Sequence, residues 1–170
     1  IRCAIPYASE EARALGRKIV RFLKQEAVAA SRLLGEERGS FPNIEKSVYQ
    51  GQTMRNASVL TIAPTGTISR IADCSSSIEP IFAFEVISKI LDGEIVDIHP
   101  LYREWRERHP GDAPPPHFVT AQEISPLDHL KMQEIFQEDV DSAVSKTINF
   151  PNSASREDIA QAYLQAFAMI

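Results

Sequence analysis

The run from Val59 to Arg70, Val-Leu-Thr-Ile-Ala-Pro-Thr-Gly-Thr-Ile-Ser-Arg, constrains the fold more than any other stretch of the chain. Val59 to Ala63 is apolar apart from one threonine, which predicts a strand covered on both faces, as in a parallel sheet. Pro64 has no N–H for a ladder and Gly66 frees the backbone, so the strand must stop there. Ile68 to Ala72 then leaves room for a short helix. A strand-to-helix turn with small residues exposes amides that the helix cannot pair, and its dipole favours negative charge. Hydroxyls on Thr65, Thr67 and Ser69 crowd the same turn. Two readings follow: an anion site, or a plain connection whose hydroxyls serve as caps. The turn is neither a Walker A loop, which needs a GK[ST] ending, nor GxGxxG, and the chain has no GxSxG.

Around this turn the pattern alternates. Ser9 caps a long helix with Glu10 and Glu11 in its first turn, where the dipole favours acids. Leu15, Ile19, Phe22 and Leu23 keep helical spacing, continued by Ala27, Ala30 and Leu34, and Gly39-Ser40-Phe41-Pro42 stops it. A second apolar run covers Ile81 to Val86, and Lys89 to Val96 predicts a hairpin about Asp92-Gly93. Pro100 opens a helix to about His109. Pro110 to Pro116 can be neither helix nor strand. Ser125-Pro126-Leu127-Asp128 starts a further helix, Ser142 to Phe150 reads as a strand, and Ser155-Arg156-Glu157-Asp158 caps a last helix carrying Ile159, Tyr163, Leu164 and Phe167. Helices and strands in this order predict the α/β class, in one domain of 170 residues.

Composition narrows the function. The formal net charge of -5 supplies no basic field for nucleic acid, and no stretch approaches the roughly 20 apolar residues of a membrane span. Cys3 and Cys74 make no disulfide framework and suggest a reducing, cytoplasmic setting. His99, His109, His117 and His129 lack metal-ligand spacing, so no metal site is expected. Glu79, before a proline at a strand entry, either holds a loop or faces a pocket. No nucleophile–base pair emerges, so no catalytic residue is assigned in this chain. It does not begin with Met and ends on an apolar face, so a piece of a longer protein is expected.

Several segments resemble the large catalytic chain of ribonucleotide reductases, nearest to the adenosylcobalamin-dependent class. They are Arg55-Asn56-Ala57-Ser58, the run Thr61 to Ser69, Cys74-Ser75-Ser76 and Ile78-Glu79-Pro80-Ile81-Phe82-Ala83. Glu37 to Pro42, Leu91 to Glu94, His117 to Ala121 and Lys146 to Pro151 support them in collinear order. The resemblance implies a ten-stranded α/β barrel, of which residues 1–170 would be a C-terminal portion. It also implies that Thr65, Gly66, Thr67, Ile68 and Ser69 hold the phosphates of a ribonucleotide substrate, with Glu79 a candidate for the pocket. In that family a cysteine thiyl radical, generated in this class from adenosylcobalamin, starts replacement of the ribose 2′-hydroxyl by hydrogen. Its cysteine motifs are not found in this chain, so cobalamin would be held mainly by other parts of the protein. The expected partners are the ribonucleotide, the remainder of the catalytic chain and, for the full-length protein, a second copy. The family usually has glycine where this chain has Asp73 and Ser77; where those positions need positive φ, serine is the less tolerant. The alternative function is non-catalytic: a remnant or split subunit acting as a nucleotide-binding or assembly module.

Overall fold

In the computed structural model the structure describes residues 1–72, 74–90 and 93–169, the side chains of 88–90 and 95 excepted. The first element is α1 (Glu10–Arg38), a helix of 29 residues. Ser9 Oγ accepts the Ala12 amide at its start, and Gly39 ends it at φ 81°, where a side chain would be strained. The face of α1 that enters the core is Arg13, Gly16, Val20, Ser31 and Gly35. Leu15, Ile19, Phe22 and Leu23, the stripe that the spacing singles out, stand between 36% and 58% exposed. The described residues therefore cover the face of small and polar residues around Val20 and leave the apolar stripe largely uncovered.

A 3-10 turn (Ile44–Lys46) leads to the extended stretch before the short helix α2 (Gly66–Ile71). Next come β1 (Glu85–Ile90) and β2 (Gly93–Ile98), an antiparallel pair in which Glu85 faces Ile98 and Ile90 faces Gly93. The predicted hairpin is thus present, although Leu91 and Asp92 at its tip lie outside the described residues. Helices α3 (Pro100–Arg108), α4 (Pro126–Gln137) and α5 (Arg156–Met169) follow where their prolines and serine caps place them. Ser125 Oγ accepts the Asp128 amide, and Ser155 Oγ accepts that of Asp158.

The expected α/β barrel is not what these residues build. Among the described residues the only sheet is the open two-stranded β1–β2 ribbon. Val59 to Ala63 and Ser142 to Phe150, both predicted as strands, run extended and meet at a single parallel bridge, Ile62 to Val144. The Ser142 amide reaches Leu60 O at 3.3 Å and the Ser145 amide reaches Ile62 O at 2.9 Å. The physical reason is that a strand exists only through its neighbours: an apolar run flanked on one side by one short partner has no ladder to join. The two segments still form the centre of the fold. Val20, Val140 and Val144 are the buried cluster, with Leu60, Ile62, Ile78 and Phe136 packed on it.

At one end of this meeting the Asp141 carboxylate accepts the amides of Val59 at 2.8 Å and Leu60 at 3.0 Å and pairs with Lys24 of α1. Burial alone would raise its pKa, but Lys24 and the two amides hold it below the ordinary carboxylate range. Gly35 lets the chain return against α1. The Arg55 amide donates to Ser31 O at 2.9 Å and the Asn56 amide to Ser31 Oγ at 3.0 Å.

Candidate functional site

The turn after Pro64 is held from inside. Thr65 takes the left-handed conformation, φ 52° and ψ 28°, which reverses the chain into α2. Its Oγ1 makes no cap bond; it accepts the Ser77 amide at 2.7 Å. Ser69, 4% exposed, donates its amide to Thr65 O and its hydroxyl to Gly66 O at 3.1 Å. The same hydroxyl meets Ser76 Oγ at 2.8 Å. Two of the three hydroxyls are therefore latches between the turn and the 76–77 loop, and a ligand would have to compete for them.

The outward part of the turn is different. Gly66, Thr67 and Ile68 are exposed, and the space over Gly66 is open. The first amide of α2 to find a backbone acceptor is that of Ser69. The amides of Gly66, Thr67 and Ile68 precede it, as the leading donors of any helix do. The Thr67 hydroxyl has no partner among the described residues. Ser77 stands at φ 49°, in line with the expectation that this position needs a positive φ; Asp73, the other position so expected, lies outside the described residues.

Beside the turn is a cavity of about 490 Å³ lined by Ser69, Arg70, Ser76, Glu79, Thr147 and Asn149 among others. Glu79 does not hang free in it. Its Oε1 accepts the Thr147 amide at 2.6 Å and its Oε2 meets Lys146 Nζ at 2.5 Å. Lys146, whose side chain is wholly buried, also donates to Thr147 O at 2.5 Å and to His129 Nδ1 at 2.7 Å. His129 is fully buried and its Nε2 lies 3.0 Å from Ala121 O. A carbonyl can only accept, so Nε2 carries the proton and Nδ1 is the acceptor for Lys146. Burial, then the Lys146 charge, push the His129 pKa down; burial pushes Lys146 down too, against the pull of Glu79. Tyr7, whose hydroxyl donates to Ile78 O at 2.7 Å, packs its ring 6.3 Å from that of His129. Burial and then the Glu79 charge raise the Tyr7 pKa.

Sequence reasoning flagged Glu79 and the stretch Lys146 to Pro151, which holds Thr147 and Asn149, but did not pair them, and it gave His129 no part in the site. The only available signal was the cluster of polar residues in an otherwise apolar strand-like run. Cys3 and Cys74 are exposed free thiols that line one larger cavity of about 520 Å³ with Tyr7, Ile78 and Glu79. The described residues contain no group of three or more His, Cys, Asp or Glu side chains able to hold a metal. His129, the most enclosed imidazole, has both nitrogens engaged. These residues therefore offer a metal ion no set of protein ligands.

With this geometry in view, comparison with known proteins is decisive on kinship. The family described as ribonucleotide reductase, barrel domain, matches residues 49–169. The chain belongs to the ribonucleotide reductase family. A vitamin B12-dependent ribonucleoside-diphosphate reductase of Thermoplasma acidophilum is 44% identical over 191 residues, covering 98% of this chain and 25% of that protein. The enzyme of the same name from Mycobacterium tuberculosis H37Rv is 38% identical over 187 residues, covering 96% of this chain and 26% of the relative. The chain thus spans about a quarter of the length of these two relatives. The class Id ribonucleotide reductase alpha subunit of Actinobacillus ureae superposes with a TM-score of 0.82 at 22% identity, over 99% of this chain and 34% of that one. That likeness establishes the shared fold of the segment. No helix among the described residues is long and apolar enough to cross a membrane.

Proposed function

We propose that this segment is a nucleotide-binding and assembly module of a ribonucleotide reductase, without reacting groups of its own. The observation that carries the binding half is the division of labour in the turn. Thr65 and Ser69 pin it from within, and Gly66, Thr67 and Ile68 present three leading amides and one unpartnered hydroxyl outward. Phosphate oxygens suit such donors. Ser69 and Glu79, at the rim of the adjoining cavity, would bound the nucleotide rather than grip it. The assembly half rests on the uncovered apolar faces of α1 and α5, where Phe22, Leu33, Tyr163, Leu164 and Phe167 are 58% or more exposed.

Joined to the rest of a reductase chain, the segment would take part in converting ribonucleoside di- or triphosphates to deoxyribonucleotides by radical chemistry, in the cytoplasm and within a dimer. Vitamin B12 dependence is the reading favoured by the names of its relatives. Adenosylcobalamin would supply the radical there, held by parts of the protein other than these residues.

The test is Thr67→Ala in the full chain, with binding of a ribonucleoside diphosphate and of its parent nucleoside measured by calorimetry. Loss of one hydroxyl bond to a charged oxygen costs about 1.5–3 kcal/mol. The diphosphate should weaken accordingly and the nucleoside should not. Equal affinities for the diphosphate before and after the change would remove the turn from the binding site.

A further inference from the structure

The buried ammonium of Lys146 is saturated. Its three N–H bonds meet Glu79 Oε2, His129 Nδ1 and Thr147 O, at 2.5, 2.7 and 2.5 Å. A buried ion pair of this kind is weak evidence for stability, because well-packed apolar groups of equal volume often do as well. What it does supply is a fixed geometry, since each acceptor sits on a different segment: the loop before Pro80, helix α4, and the extended run after Val144. From Glu79 the connection continues toward the turn. The Glu79 amide donates to Ser76 O at 2.9 Å. Ser76 Oγ meets Ser69 Oγ, and the Ser77 amide donates to Thr65 Oγ1. Ser77 Oγ lies 3.4 Å from Ser145 O, one residue before Lys146. The 76–79 loop is therefore clasped on one side by Lys146 and its neighbours and on the other by both latches of the turn.

We infer that Lys146 is a positioning residue that sets the shape of the 65–69 turn through Glu79 and the 76–79 loop. The inference rests on reading that turn as the phosphate site for its functional meaning, while the mechanical link is independent of it. Lys146 does not touch the ligand. Its charge orders Glu79, Glu79 orders the loop, and the loop holds Thr65 and Ser69 in the arrangement that turns the amides outward.

The experiment compares the full chain with its Lys146→Met and Glu79→Gln variants. Hydrogen exchange is followed by mass spectrometry over peptides spanning 65–80, with a ribonucleoside diphosphate and its parent nucleoside as binding probes. The expected result is at least tenfold faster exchange in 65–80 with α1 unchanged, and at least tenfold weaker diphosphate binding with the nucleoside unaffected. A purely structural role would instead lower protection throughout the molecule and weaken both probes alike, and that outcome overturns the inference. So does unchanged exchange in 65–80 in both variants. Where Lys146→Met does not fold, Glu79→Gln decides, because its uncharged amide keeps the size of the side chain. If the unaltered protein does not distinguish diphosphate from nucleoside, the phosphate reading fails, and the exchange data alone uphold or reject the link from Lys146 to the turn.

Discussion

Ser77 offers a perturbation whose size can be worked from the structure. Its φ of 49° places a non-glycine residue in the left-handed region. That conformation costs an L-residue roughly 1–2 kcal/mol. Glycine would remove the cost but loses more freedom on folding, about 0.5–1 kcal/mol. The Ser77 hydroxyl reaches Ser145 O only at 3.4 Å, so its loss takes away about 0.5 kcal/mol, the low end for a hydrogen bond. These contributions leave Ser77→Gly between about 0.5 kcal/mol less stable and about 1 kcal/mol more stable. Ser77→Ala keeps the strain and loses the hydroxyl, so it should be about 0.5 kcal/mol less stable. Ser77→Val adds a branched carbon in the left-handed region and should be about 2 kcal/mol less stable. Urea denaturation of the full chain, with unchanged m-values, gives the three differences. A valine variant as stable as the glycine one would refute the reasoning, since backbone strain at Ser77 could not then be the controlling quantity.

Two further outcomes follow from packing and charge. A Cβ on Gly35 would stand 3.1 Å from the Arg55 amide and 3.2 Å from the Met54 carbonyl carbon, both backbone. One on Gly16 meets chiefly the edge of the Phe136 ring, at 3.2 Å. Gly35→Ala should therefore destabilise by about 1–3 kcal/mol despite the better helix propensity, while Gly16→Ala stays within about 1 kcal/mol of the parent; equal effects in thermal melts would count against the close approach. Because His129 is held neutral, the unfolded chain takes up a proton near pH 6.5 that the folded chain does not. Stability should be level with respect to this group above that pH and fall as the pH drops below it, and His129→Gln should flatten the decline in denaturation midpoints measured from pH 7.5 to 5.

The helices were legible because their signals are local. Ser9, Ser125 and Ser155 announce three starts, and Pro100 a fourth, within a few residues of sequence. The strands were not, because pairing is a property of two segments. Val59 to Ala63 has the composition of a buried strand, yet only Ile62 finds a bridge, with a partner far along the chain. The site divides in the same way. The turn at Pro64 and Gly66 stood out from residue types alone, and the positive φ of Ser77 agrees with the expectation drawn from the family resemblance. The purposes of Thr65 and Ser69 were not, since their partners Ser77 and Ser76 are fixed by how the loop folds back. Lys146 was least visible: its meaning lies in Glu79, 67 positions away, and in His129, 17 positions away.

Asp141 gives the meeting of the two extended segments a property that hydrophobic matching cannot. In β-type pairing a slip of one position sends each side chain to the opposite face. By accepting the amides of both Val59 and Leu60, the carboxylate favours the alignment in which Ile62 lies opposite Val144. Alignment here is keyed by a charge at one end, like the tooth of a zip, so neutralising that charge would let the pair slide before the core beneath it melts.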